Sequence, residues 1–216
     1  MNRPAAQPPG KLPRGRHAAS REVVADSQRR RLIAGMTAVV SAKGYAATTV
    51  LDVVREAGVA KPAFYEQFSD KQACLIAAYD AGIESIMRGA VAALSDSGRP
   101  AERIEHGVAA LLDHIAANES EARVVLVEIV GGGPEAVVHM KATHRALAEQ
   151  YVALREVVRR TYPDYPSLTR VQGLAVVGAV LEPVTEVLIT EGVGAVAGLK
   201  DELVPVVLAL SMAGGG

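Results

Sequence analysis

The chain has 216 residues, half of them hydrophobic, with 22% charged residues and a formal net charge of −1. That is enough apolar material for one or two packed domains and too little charge for a self-repelling, disordered polymer. A single cysteine, Cys74, excludes an intrachain disulfide and a multi-cysteine metal site, and an aromatic content of 4% without Trp argues against a sheet protein.

Residues 1–20 are rich in Pro, Gly and Ala with scattered Arg and no periodicity, and read as a flexible basic tail. The tail lacks the run of roughly 7–15 apolar residues of a secretory signal, so a soluble cytoplasmic protein is expected. Periodicity begins near Val23. Leu32, Met36 and Val39, flanked by Ile33 and Val40, form one helical stripe that ends at Gly44. Thr49 can cap a short helix through Val53, Val54 and Ala57, closed by Gly58, and a third short segment follows from Lys61 to Phe68. Ser69 and Gln72 have the spacing of a capping box, and Asp70 suits the positive start of a helix.

Leu75, Tyr79, Ile83, Ile86 and Val91 then mark a long amphipathic helix that stops at Ser97-Gly98-Arg99-Pro100. Helices are expected over Ala101 to Ala117 and Glu119 to Val130, before the break Gly131-Gly132-Gly133-Pro134. From Glu135 to Thr161, Val137, Met140, His144, Leu147, Tyr151, Leu154 and Val158 recur at alternating steps of three and four. Two apolar helices close the chain, about Leu168–Thr190 and about Leu199–Met212. The most apolar window, Val171 to Thr190, is interrupted by Glu182, Pro183 and Glu186, which favours a buried helix over a membrane span. The fold class is all-α.

Charge is divided along this series. From Met1 to Lys71, 12 Lys and Arg stand against 6 Asp and Glu, a net of +6; from Gln72 to Gly216 the counts are 11 and 18, a net of −7. A basic head on an acidic body suits a polyanion partner, although chance plus a basic tail would give the same imbalance. Three short helices with a three- to four-residue turn between the second and third have the geometry of a helix-turn-helix. Lys43-Gly44-Tyr45, Thr48-Thr49-Val50, the run Ala57 to Tyr65, and Phe68-Ser69-Asp70-Lys71 together resemble the tetracycline-repressor (TetR) family of transcriptional regulators. The motif match covers roughly residues 23–80. The resemblance implies a flexible tail over 1–20, a helix-turn-helix DNA-binding domain over 21–70 and a ligand-binding, dimerising domain over 71–216.

On that reading the residues that face double-stranded DNA are Thr48, Thr49, Lys61, Pro62, Ala63, Tyr65, Gln67 and Lys71. Thr49 either caps the second helix only or also reaches a phosphate beside the outward amides. Tyr65 is either a half-buried core residue or an exposed phenol, and Phe64 and Phe68 already supply apolar anchors. Lys71 in a helix first turn opposes the dipole, a balance that a neighbouring phosphate reverses. In the resembled family the matching Tyr and Lys touch the DNA backbone. Pro62 suits a helix first turn, while Lys61, Ala63 and Gln67 can read base edges. Ala60 and Ala63 replace polar residues of many relatives, and Leu51 stands where some relatives place a polar base contact. In the tail, Pro13-Arg14-Gly15-Arg16 is similar to the core of a minor-groove AT-hook; a solubilising tail is the alternative.

The resemblance also implies a homodimer through the last two helices, for which Val176, Val180, Val184, Leu188, Leu203, Val207 and Leu210 offer stripes. Pro183 and Pro205 inside those patterns should kink them or mark first turns. Polar residues of the middle helices, His114, Glu128, His144, Tyr151 and Gln172, are candidate contacts for a small-molecule effector, with satisfied core or surface groups as the alternative. No cofactor, metal site or membrane partner is expected. An all-α enzyme finds no support in HExxH, Glu-x-x-His, Gly-x-Ser-x-Gly, dinucleotide or phosphate-loop patterns, all of which are missing. A helical protein-interaction module would leave the basic head unexplained.

Overall fold

The computed structural model describes residues 21–95 and 98–213, so the AT-hook-like Pro13-Arg14-Gly15-Arg16 lies outside the described residues. Among the described residues the regular structure is entirely helical: α1 (Arg21–Lys43), α2 (Val50–Ala57), α3 (Lys61–Gln67), α4 (Lys71–Ser95), α5 (Pro100–Ala117), α6 (Glu119–Leu126), α7 (Pro134–Arg159), α8 (Arg170–Thr190) and α9 (Lys200–Met212). Short 3-10 turns occupy Glu128–Gly132 and Val193–Leu199.

The first three helices form around the apolar residues that the spacing singles out. Leu32, Met36, Val40, Val53, Val54, Phe64 and Phe68 are buried together. Helices α1 and α2 approach closely because position 35 is glycine: a Cβ there would stand 3.0 Å from the Val53 carbonyl oxygen and 3.2 Å from the Ala57 Cβ. Thr49 caps α2 in a reciprocal capping box with Asp52, and Gly58 ends it in the left-handed region at φ 58°. The turn that follows directs α3 across the end of α2.

Helix α4 starts one residue later than the Ser-x-x-Gln spacing predicts. Asp70, not Ser69, accepts the first-turn amide, from Ala73 at 2.8 Å, and Gln72 turns away to donate to the Gly132 carbonyl at 2.6 Å. A contact 60 residues away in sequence thus outweighs the local capping pattern. From there α4 runs against α1 on one side and α5 on the other, so one rod spans the molecule from the short helices to the large bundle. Helix α6 likewise ends at Leu126, short of Val130, where the 3-10 turn begins. Pro183 and Pro205 both lie inside their helices, α8 and α9.

Candidate nucleic-acid interface and effector cavity

On α3, Phe64 and Phe68 point inward and Tyr65 is 52% exposed, which decides between the two readings of that tyrosine. The rings of Phe64 and Tyr65 meet edge-on at 5.3 Å. Lys61 and Pro62 are exposed, Ala63 and Gln67 half-buried, and no ion pair among the described residues engages Lys61. Leu51 of α2 is 46% exposed beside them. The face is therefore a short helix bearing one cation, one phenol and small side chains, held from behind by two phenylalanines. Arg29 of α1 braces it, donating to the Gln67 carbonyl at 3.2 Å with its guanidinium 4.5 Å from the Phe68 ring centre.

Thr49 is exposed, but its hydroxyl donates to Asp52 at 2.6 Å and accepts the Asp52 amide at 3.2 Å. Lys43 closes on the same carboxylate at 2.7 Å, and the Lys43 and Thr49 contacts hold the Asp52 carboxyl far below its ordinary value. In the free protein, capping occupies this hydroxyl.

Two of the residues expected to face DNA turn inward. Thr48 is 2% exposed and its hydroxyl donates to the Gly44 carbonyl at 2.7 Å. The Lys71 ammonium donates to the Tyr45 carbonyl at 2.9 Å and the Thr48 carbonyl at 2.8 Å, 3.9 Å from the Tyr45 ring centre. Loss of water, and then the nearby Lys43 charge, lower its pKa. In the loop between α1 and α2 the Tyr45 carbonyl also accepts the Thr48 amide at 3.1 Å, and the lysine at the start of α4 gathers both carbonyls onto one ammonium. Thr48 and Lys71 therefore shape the loop that presents Thr49.

The same loop is gripped from the other side. The Tyr45 amide donates to Glu128 at 2.8 Å, and Gly131 lies against the Tyr45 ring. Glu128 begins the 3-10 turn after α6, so this bond ties the short-helix head to the bundle. Glu128 is engaged by the loop and does not line the apolar cavity of the bundle, which corrects the expectation that it contacts a ligand there.

The bundle holds one strongly apolar cavity of about 100 Å³ between α4, α5, α7, α8 and α9. Met87, Ala90 and Leu94 of α4 form one wall, Leu147 and Tyr151 of α7 another, and Val176, Val180 and Val207 close it. Of the five expected polar contacts only Tyr151 lines this space, its hydroxyl 2.7 Å from the Ser211 hydroxyl. His114 instead contacts Ser85 at 3.1 Å and Glu121 at 3.3 Å. Gln172 completes the capping box of α8 and donates to the Ala213 carbonyl. His144 is half-buried outside the cavity lining, its pKa lowered by loss of water and then by Lys141.

The family profile of bacterial regulatory proteins, tetR family, matches residues 32–78, from the buried stripe of α1 into α4. Residues 32–78 carry the tetR-family DNA-binding domain. That matched stretch contains the whole helix-turn-helix described above, so this is a DNA-binding transcriptional regulator. Solved structures extend the likeness of fold to the bundle. The fatty acid degradation regulator FadR from Bacillus halodurans is 16% identical over 84% of this chain and 94% of its own, with a TM-score of 0.73. FadR from Bacillus subtilis, in complex with stearoyl-CoA, is 15% identical over 87% and 99%, with a TM-score of 0.71. A tetR-family protein from Rhodococcus RHA1 is 22% identical over 88% and 98%, with a TM-score of 0.63. No curated protein sequence matches the chain.

In this regulator α8 and α9 are apolar on more than one side. Val176, Val184, Leu188, Leu203 and Val207 are buried within the protomer, and Val180 and Leu210 are half-buried there. These stripes pack α8 and α9 onto their own bundle, which corrects their assignment to a dimer interface. The opposite face of α8 carries Val171 (77% exposed), Leu174, Ala175, Gly178 and Ile189, and α9 adds Val206 and Met212. Hydropathy alone does not say which of the two faces meets the bundle. By length and composition α8 would also cross a membrane; its seat against α7 and α9 is that of a bundle helix.

Proposed function

We propose that this regulator is a repressor that binds a palindromic operator as a homodimer and is released by a small-molecule effector with an extended apolar part. Residues 21–70 are the DNA-binding unit, residues 71–216 the effector-binding and dimerising unit, and the site of action is the cytoplasm. One observation carries the reading: α4 follows α3 after a short turn and, further along, lines the apolar cavity with Met87, Ala90 and Leu94. The stearoyl-CoA bound by the Bacillus subtilis relative supports an acyl-like effector.

The size of the cavity supplies the mechanism. About 100 Å³ is well below the several hundred cubic ångströms typical of a drug-sized ligand, so an effector must part the walls. One of those walls is α4, and its displacement moves the head. A ligand that prefers the parted state lowers operator affinity by its differential binding energy, typically about 1–3 kcal/mol.

Selection of bound sequences from a random duplex library tests the DNA half of this reading. A palindrome is expected, with affinity falling steeply as salt rises. Tyr65→Ala combined with Lys61→Ala, in a protein with unchanged helicity, should weaken binding by about tenfold or more. Undiminished operator binding in that variant would refute the assigned face, and no salt-dependent duplex binding at all would favour a protein-interaction module.

A further inference from the structure

Below the apolar cavity, and sharing Leu94, Ile104 and Tyr151 with it, lies a second space of about 20 Å³ with a different lining. Arg155 of α7 and Tyr165 of the α7–α8 loop face it, together with Arg103 of α5. Arg155 is only 4% exposed. Its Nε donates to the Pro166 carbonyl at 3.1 Å, a terminal nitrogen donates to the Ser211 carbonyl, and the guanidinium stacks 3.6 Å from the Tyr165 ring centre. These neighbours are neutral. Among the described residues no carboxylate forms an ion pair with Arg155 or with Arg103, whose Nε donates to the Gly98 carbonyl at 3.0 Å. A buried guanidinium ordinarily has an anion beside it.

A second observation is independent of the charge. The Tyr165 hydroxyl is shielded from solvent and has no hydrogen-bond partner. Buried hydroxyls are almost always paired, and this one lies at the same small space. A water would satisfy the hydroxyl and still leave the guanidinium without a counter-charge.

We propose that Arg155 and Tyr165 form the head-group subsite of the effector, which is therefore an aliphatic carboxylate whose chain occupies the apolar cavity and whose carboxylate is buried. The proposal rests on the effector reading above and narrows it from an apolar molecule to an amphipathic anion. The carboxylate accepts from the guanidinium and from the phenol, giving the first a counter-charge and the second a hydrogen-bond partner. About 20 Å³ holds a single water-sized group, so the α7–α8 loop must yield on binding. The Tyr162 hydroxyl on that loop reaches the Gly98 carbonyl by a long bond, 3.4 Å.

Calorimetric titration of the full chain with decanoate, decanol and decanoyl-CoA tests this. Decanoate should bind about tenfold or more tightly than decanol, because only the acid pairs with the guanidinium. Decanoyl-CoA, whose thioester carries no charge at that position, should bind no better than decanol. Tyr165→Phe should leave the thermal midpoint of the free protein unchanged and weaken decanoate about tenfold, with decanol unaffected. Arg155→Met should abolish the preference for the acid; if it fails to fold, Tyr165→Phe still decides. Equal binding of decanoate and decanol, tight binding of decanoyl-CoA, or an unaltered decanoate affinity in Tyr165→Phe overturns the subsite and leaves the apolar cavity standing. Failure of all three probes to bind overturns the effector reading and the subsite with it.

Discussion

Cys74 lies under α1, fully shielded, with its sulfur 3.9 Å from the Leu32 carbonyl oxygen. Loss of water pushes the thiol up from 9.0 to about 12, against a smaller opposite pull from Arg29. Tyr79 is raised from 10.0 to about 12, again mainly by burial. For both groups the unfolded chain releases its proton first, so between the two values the folded state holds more protons. Stability is then whole below about pH 9 and falls as pH rises toward 12. Urea unfolding should show about 2 kcal/mol less stability at about pH 10.5 than at about pH 8, and Cys74→Ala should flatten most of that loss. Thiol reagents should leave native Cys74 unlabelled; rapid labelling would contradict the burial. At this scale the sequence is readable only where a residue acts locally. Thr49 and Gly58 follow from their positions beside a short apolar run, and both cap α2. Thr48 and Lys71 do not, because their bonds close a loop from 4 and 26 residues away, and nothing in a Thr-Thr pair says which hydroxyl turns inward.

Helices obey their spacing except where a distant partner intervenes. The stripes of α1, α4 and α7 place each helix within a few residues of its observed span, since an apolar face has one way to be buried. The exceptions cluster at one junction: the start of α4, the end of α6 and the 3-10 turn between Glu128 and Gly132 all answer to contacts between head and bundle. The periodicity of apolar residues carries no information about such polar cross-links. The effector cavity is equally silent in sequence, because its lining is built from the same Leu, Val and Ala that fill an ordinary core. At the junction, the bond from the Tyr45 amide to Glu128 and the bond from Gln72 to Gly132 are polar links between bundle and head, and in the proposed mechanism movement of the bundle would pass through them. Glu128→Ala should therefore leave effector affinity within about twofold and reduce the effector-induced loss of operator affinity, by up to about 1 kcal/mol of coupling. Operator binding measured with and without saturating effector checks this; full coupling in the variant would mean that α4 alone transmits the change.

At the scale of the whole molecule, the outward face of α8 sets the geometry. Val171, Leu174, Ala175 and Gly178 recur along one side of the helix, interrupted by exposed Glu182 before Ile189, and α9 exposes Val206 and Met212. Such a stretch is costly to expose to water, at about 25 cal/mol for each Å². A Cβ at position 178 would meet no atom of this chain within 4 Å, so nothing inside the protomer requires glycine there. Close approach of a second α8 would require it. In the proposed homodimer, a two-fold axis through this face would pair α8 and α9 with their copies and present two heads to half-sites about one DNA turn, roughly 34–36 Å, apart. Gly178→Arg tests this with little risk to the protomer, because the new side chain enters open space and exchanges backbone freedom for a good helix former. Sedimentation at micromolar concentration should change from dimer to monomer while the far-ultraviolet helix signal is retained. Operator affinity should fall at least about a hundredfold, since each head then binds its half-site alone and the gain from linkage is lost. A variant that stays dimeric would move the interface elsewhere. One that becomes monomeric yet holds the full palindrome undiminished would remove the two-headed geometry from the mechanism.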